Sequence, residues 1–208
     1  MEFRMAIGSQ YEFDFSEEGH SRHGKCAPRG HSNLFLAIVP DREAARRSAG
    51  IAADLNRRHA LLGRLRPQAM MHVTMRSLGS YDVVPEELLF AISAAMPAVT
   101  ATAFEIVLDH AMSFQNRRKK PLVLCSSLPL HPLFELRECL IDAMRAAGIK
   151  SRGEKKFTPH MTLFYPRESL PRTPIEQPLV WTAREFVLVQ SVVGKSRHLR
   201  LDRWPLLG

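Results

Sequence analysis

Two short segments of this chain repeat one pattern, a histidine and a threonine separated by a single apolar residue. Residues 72–75 read His-Val-Thr-Met and residues 160–163 read His-Met-Thr-Leu. Each lies in an apolar run of strand-like length, at 70–75 and at 157–165. Side chains i and i+2 of a strand point to the same face. Each motif is therefore predicted to place an imidazole and a hydroxyl on one face of a strand and its apolar residues on the other, in a core.

The two motifs together indicate acid–base chemistry. If the strands meet, His72, Thr74, His160 and Thr162 surround one small polar group. An imidazole gives or takes a proton near neutral pH, and a threonine hydroxyl can donate to an anionic oxygen. This combination suits cleavage of a phosphodiester without a metal. The alternative is that each histidine only caps a sheet edge, with threonine present for its β-propensity. One motif alone does not decide between these, whereas two copies in matching strand-like contexts favour the chemistry.

Four segments of the chain carry a resemblance to a known family. They are residues 33–40, a first strand; 66–79, the first motif with its flanks; 157–163, the second motif; and 185–191, a late strand. In these segments the sequence resembles the 2H phosphoesterase superfamily, and within it the bacterial 2′-5′ RNA ligase / RNA 2′,3′-cyclic phosphodiesterase family. The chain departs from the family at one place. Many members carry an arginine shortly after the second motif, where this chain has Phe164-Tyr165-Pro166, and Arg167 is out of register.

The resemblance implies a function. The expected activity is opening of a 2′,3′-cyclic phosphate on RNA or a nucleotide to a 2′-phosphate, with 2′-5′ RNA ligase activity as an additional possibility. It implies His72 as the acid and His160 as the base for ring opening, with Thr74 and Thr162 binding the phosphate. Two alternatives stay open: a 2H phosphoesterase acting on a small cyclic nucleotide or a 2′-5′ oligoadenylate, and a non-catalytic RNA-binding module of the same fold.

Further residues are weaker candidates for contact with substrate. Tyr165, Phe164 and Phe114 could stack on a base, although core packing is expected for at least two of them. Arg117 and Arg118 belong to a basic tip of a predicted hairpin, which either contacts RNA or only solubilises the loop. The remaining histidines, including His59, His131 and His198, are interpreted as structural, and His110 is ambiguous.

Composition limits the cellular setting and the partner. The net charge is +8, and residues 1–32 contain four basic and five acidic side chains, so the basic excess lies in the rest of the chain. This favours a polyanion such as RNA, although solubility alone is the alternative. No apolar run has the length of a membrane span, no secretory signal is visible, and three cysteines without paired spacing fit a reducing cytoplasm. We expect a cytoplasmic monomer without cofactor or metal.

Domain organisation follows from the same survey. Residues 1–32 are predicted to be a flexible extension and residues 33–208 a single domain. Within the extension, His20, His23, Cys26 and His31 could ligate zinc, but a plain polar stretch is the simpler interpretation.

The order of predicted elements is α+β. Helices are expected from Asp41 to about Gly63, from Pro85 to about Met96 and over 130–147. Strands are expected over 34–39, 69–78, 102–114, 122–128, 157–165, 185–193 and 198–204. The resemblance adds a bilobal, pseudo-twofold arrangement, with two antiparallel sheets flanked by helices and a central groove lined by the two motifs.

Overall fold

A computed structural model describes residues 31–115, 120–149 and 157–208. The elements in chain order are β1 (Ser32–Ile38), α1 (Arg42–Arg58), β2 (Arg64–Leu65), β3 (Val73–Tyr81), α2 (Glu86–Ala95), β4 (Phe104–Ser113), β5 (Leu122–Cys125), α3 (His131–Ala146), β6 (Met161–Tyr165), β7 (Thr173–Ala183), β8 (Glu185–Val192) and β9 (Arg197–Pro205). The predicted extension falls almost wholly outside the described residues.

The described strands form one antiparallel sheet in which neighbours run β7-β4-β5-β6-β3-β1-β8-β9, with β2 added beside β6. The sheet consists of two four-stranded halves, β7-β4-β5-β6 and β3-β1-β8-β9. Val73 opposite Met161 is the residue pair that joins β3 to β6, whereas the strands within each half pair over longer stretches. The α+β fold class is confirmed, and the two predicted sheets are the halves of one sheet with a narrow junction.

The helices cover one face of this sheet. Buried residues of all three helices, such as Leu55, Ile92 and Leu136, share one apolar core with Val73 and Met161 of the central strands. The opposite face carries a separate, smaller cluster. Its buried members are Phe35 and Ala37 on β1 and Val187 and Val189 on β8. Along each strand they alternate with residues of the large core. This second face is the one that carries the two motifs.

Local sequence explains how α1 begins and ends. The side chain of Asp41 accepts a hydrogen bond from the backbone N–H of Ala44 at 2.8 Å, as expected of an N-cap. The helix ends at Arg58 rather than near Gly63, because Ala60 and Leu62 adopt positive φ angles of 48° and 52°. Gly63 itself lies so close to the Phe164 ring that a Cβ atom there would overlap the ring.

Strand β7 is not among the predicted elements. Its sequence contains Pro174 and Pro178, and most of its first half is exposed. Proline is tolerated on an edge strand because one side of that strand needs no ladder hydrogen bonds, and β7 is an edge strand.

The motif strands are also shorter than predicted. A 3₁₀ turn at Gln68–Met70 precedes β3, so His72 and His160 each stand one residue before their strand.

Candidate active site

The site is built around the junction of the two halves of the sheet. Val73 and Met161 face each other there and are completely buried in the large core. Because side chains alternate along a strand, the residues on either side of each must point to the opposite face. Those residues are His72 and Thr74 on one strand and His160 and Thr162 on the other. The junction therefore brings both predicted motifs to one face of the sheet.

The antiparallel register also sets which motif residues are neighbours. Continuing it by one residue on each side of the Val73–Met161 pair places His72 opposite Thr162 and Thr74 opposite His160. Opposite residues of antiparallel strands have Cβ atoms about 4.5–5.5 Å apart. This register would bring each hydroxyl next to the imidazole of the other motif, in addition to the imidazole of its own motif.

Both imidazoles are held by the same local hydrogen bond. Nδ1 of His72 lies 2.8 Å from the carbonyl oxygen of Met70, and Nδ1 of His160 lies 2.8 Å from that of Thr158. A carbonyl oxygen can only accept, so Nδ1 must carry the hydrogen in both rings. In the neutral ring the lone pair is then on Nε2. Each histidine is thereby fixed in the tautomer that offers Nε2 for proton transfer.

A phenylalanine ring packs against each imidazole. The Phe35 ring stacks on His72 with centroids 4.9 Å apart, and the Phe114 ring lies 4.8 Å from that of His160. The two sites differ in exposure, since His72 is 6% exposed and His160 is less buried. Together with the carbonyl acceptors, these rings restrict the rotation of both histidines.

A third imidazole lies beside His72, although the sequence predicts only a structural role for it. The His198 ring, on β9, is edge-on to His72 at 5.0 Å and lies 5.6 Å from Phe35. In the half sheet β3-β1-β8-β9, His72 directly precedes one outer strand and His198 lies on the other. The strand pairing puts them at diagonally opposite corners of this half sheet. Because the two rings are in contact, the half sheet must be strongly coiled. The two corners meet over the small apolar cluster that contains Phe35. No local sequence signal indicates this contact, because the coil depends on the whole half sheet.

The three aromatic candidates separate into different roles. Phe164 is fully buried in the large core, and Phe114 packs on His160. Tyr165 is only partly buried, and the Arg66 guanidinium lies 5.7 Å above its ring. Tyr165 is thus the aromatic residue of the three that keeps exposed surface without covering a motif histidine. Arg117 and Arg118 lie outside the described residues.

A second polar cluster lies where β4 pairs with the end of β5. Asp109 accepts hydrogen bonds from the backbone N–H and the hydroxyl of Ser127 and contacts Nδ1 of His110 at 2.6 Å. Burial acts to raise the pKa of Asp109, but the hydrogen bonds from Ser127 and His110 outweigh it and lower that pKa. His110 lies opposite Cys125, and burial raises the pKa of the Cys125 thiol to about 11. Both groups therefore keep fixed protonation states near neutral pH.

The described part of the chain holds no group of three or more histidine, cysteine, aspartate or glutamate side chains placed to bind a metal ion. Of the four residues considered for zinc, His31 lies within that part, and its Nδ1 contacts Asp82 at 3.0 Å. His20, His23 and Cys26 lie outside it. None of the described helices is long and apolar enough to cross a membrane.

Comparison with known proteins gives one family and several similar structures. The family model described as the 2′-5′ RNA ligase superfamily matches residues 28–195. Among curated proteins no match is found. The crystal structure of Escherichia coli LigT in apo form is similar with a TM-score of 0.71 and 25% identity, over 86% of this chain and 99% of LigT.

Two further structures agree in fold. LigT from E. coli in complex with phosphate has a TM-score of 0.68 and 25% identity, over 86% of this chain and 99% of that one. The protein TT0787 of Thermus thermophilus has a TM-score of 0.67 and 22% identity, over 85% and 98% of the two chains. The region matched by the family model includes both histidine–threonine motifs.

Proposed function

This chain belongs to the 2′-5′ RNA ligase superfamily, a family of phosphodiesterases and ligases, and we propose that it is a metal-independent RNA 2′,3′-cyclic phosphodiesterase. It would open the cyclic phosphate at the 3′ end of an RNA to a 2′-phosphate, and it would act as a 2′-5′ RNA ligase when the 5′-hydroxyl of a second RNA attacks in place of water. The observation that carries the proposal is the matched pair of imidazoles, each with Nδ1 donating to a backbone carbonyl oxygen two residues earlier.

The proposed reaction needs two proton transfers. Water attacks phosphorus as a base removes its proton, and the P–O3′ bond breaks as an acid protonates the leaving ribose oxygen. Two imidazoles with Nδ1 held by a backbone carbonyl, one ring neutral and the other protonated, can perform both steps through Nε2 from opposite sides of the phosphorus. We assign the acid to His72 and the base to His160, as the resemblance implies.

Negative charge that develops on the non-bridging oxygens needs donors that are already in place. Thr74 and Thr162 are the proposed donors, because each follows a motif histidine by two residues at the junction, on the face opposite to the core residue between them. Phosphate is also the ligand in one solved complex of the similar protein LigT. The two hydroxyls are therefore proposed to bind the non-bridging oxygens of the reacting phosphate.

An RNA partner would account for the basic excess of the chain. In this proposal Tyr165 offers a ring for base stacking, and Arg117 and Arg118 contact the RNA backbone. The enzyme acts as a cytoplasmic monomer, and residues 33–208 form one functional domain. A small cyclic nucleotide or a 2′-5′ oligoadenylate is the alternative substrate within the same family.

A substrate panel tests the proposal. The purified chain is incubated in EDTA with three compounds: an RNA oligonucleotide ending in a 2′,3′-cyclic phosphate, a 2′,3′-cyclic mononucleotide and a 2′-5′ oligoadenylate. Products are identified by phosphorus NMR and chromatography. The proposal predicts a 2′-phosphate product, with the cyclic-phosphate RNA turned over most efficiently. Faster turnover of the oligoadenylate would favour the alternative substrate, and binding of RNA without any turnover would favour a non-catalytic module.

A further inference from the structure

One guanidinium near the site has a buried nitrogen without a partner. Nη1 of Arg66 is buried and makes no hydrogen bond within the described part of the chain, and the side chain takes part in no ion pair there. A buried donor left unpaired is unfavourable, and more so in a charged group. Arg66 as a whole is only partly buried, so solvent and solutes reach the rest of its side chain. Nη1 is therefore a donor without an acceptor among the described residues.

The position of Tyr165 shows which face of the sheet Arg66 occupies. Val123 pairs with Thr162 and Leu122 pairs with Phe164, so β6 contains one extra residue at this point. Such a bulge shifts the alternation of side chains by one. Phe164 then joins the large core, as its complete burial shows, and Tyr165 comes to the face of Thr162. The Arg66 guanidinium lies over the Tyr165 ring and so belongs to the motif face.

We propose that Arg66, supported by the ring of Tyr165, binds a phosphate group of the nucleotide whose reacting phosphate lies at Thr162. The inference rests on the proposed function and adds a residue to it. A guanidinium presents several N–H donors in a planar fork that matches the oxygens of a phosphate. Stacking on an aromatic ring keeps that fork oriented and leaves its edge available. A phosphate oxygen would accept from the part of the fork that solvent reaches.

The spacing leaves two phosphates within range. Tyr165 follows Thr162 by three residues, which is about 10 Å along a strand. The long side chain of Arg66 can extend from Tyr165 towards Thr162 and so bring its guanidinium closer to a phosphate bound there. The partner is therefore either the reacting phosphate itself or the next phosphate of the same nucleotide. Both present the same chemistry to Arg66, and mononucleotides that carry one or two phosphates separate them.

Binding measurements on the full chain test the inference without requiring turnover. Isothermal titration calorimetry is performed with adenosine, adenosine 2′-phosphate and adenosine 2′,5′-bisphosphate. Because a hydrogen bond to a charged group contributes about 1.5–3 kcal/mol, Arg66→Gln should weaken binding of a phosphorylated ligand about 10- to 100-fold and leave adenosine unchanged. Loss with both phosphorylated ligands assigns Arg66 to the reacting phosphate, whereas loss with the bisphosphate alone assigns it to the neighbouring one. Arg66→Lys keeps the charge without the fork and should fall between.

Arg57→Gln is the matched control, because Arg57 is exposed on α1 and paired with Asp54. It removes one positive charge and should bind all three ligands as the wild type does. The inference is overturned if Arg66→Gln, or Arg66→Lys should the former not fold, binds both phosphorylated ligands like the wild type, or if the wild type binds neither. Failure of the proposed function is a separate result. It would be seen as Arg66-dependent phosphate binding without hydrolysis of a 2′,3′-cyclic nucleotide.

Discussion

His72 and His160 make the same hydrogen bond, from Nδ1 to the carbonyl oxygen two residues earlier, and the distance is 2.8 Å in both. Each also packs against one phenylalanine ring and precedes one of the two paired central strands. Antiparallel pairing relates these two local structures by an approximate twofold axis through the Val73–Met161 pair. The site is therefore two copies of one arrangement placed on either side of a common centre.

The two threonine hydroxyls should matter for rate more than for binding. Thr74→Val and Thr162→Val keep the side-chain shape but remove the donor. If each hydroxyl stabilises the transition state as one oxyanion donor does, each change should lower kcat about 10²- to 10³-fold. Steady-state kinetics on a 2′,3′-cyclic nucleotide provide the measurement. Thr100→Val, at an exposed position away from the strands, is the control. A rise in KM with kcat unchanged would reassign the hydroxyls to ground-state binding.

Removal of divalent ions should leave the activity unchanged. The proposed proton transfers use only imidazoles, and the proposed anion donors are hydroxyls, so no step calls for a Lewis acid. The measurement compares initial rates before and after dialysis against EDTA. Loss of activity that one divalent ion then restores would contradict the mechanism.

Cys125 should resist alkylation while Cys139 reacts. Burial raises the pKa of the Cys125 thiol to about 11, so only about one molecule in a thousand carries the thiolate at pH 8. Cys139 is exposed on α3. Treatment of the native chain with iodoacetamide at pH 8, followed by peptide mass spectrometry, should find the label on Cys139 well before Cys125. Equal labelling of the two in the folded chain would show that Cys125 is more accessible than described.

Gly63 should be intolerant of a side chain. A Cβ atom there would overlap the ring of the fully buried Phe164, and overpacking of this kind costs about 1–3 kcal/mol. Gly63→Ala should therefore lower Tm, as measured by calorimetry. Gly50→Ala is the opposite control, because Gly50 lies within α1 with nothing close to its would-be Cβ. It should raise stability by about 0.5–1 kcal/mol. Equal effects of the two changes would contradict the packing described around Phe164.

Local sequence predicted much of the central structure, because period-two alternation and helix caps are local signals. The alternation of residues 72–75 and 160–163 placed His72 with Thr74 and His160 with Thr162, and the structure has each pair beside a core residue of its strand. Asp41 marked the start of α1 for the same kind of reason.

Other features depend on contacts between distant segments and were not predictable in this way. The edge strand β7 carries two prolines and a mostly exposed first half, so its sequence does not alternate like a strand. His198 reaches His72 only because the half sheet coils. The bulge in β6 that brings Tyr165 rather than Phe164 to the motif face depends on pairing with β5.

The central claim is that two imidazoles act together at the junction of β3 and β6. Its most direct test is the turnover of a 2′,3′-cyclic mononucleotide in EDTA by the wild type, His72→Ala and His160→Ala, with His59→Ala at an exposed helix end as the control. The two-imidazole mechanism predicts a 2′-phosphate product, a loss of about 10²- to 10⁴-fold in kcat for either site variant, unchanged folding by circular dichroism, and wild-type rates for His59→Ala. Near wild-type turnover by either site variant would contradict it.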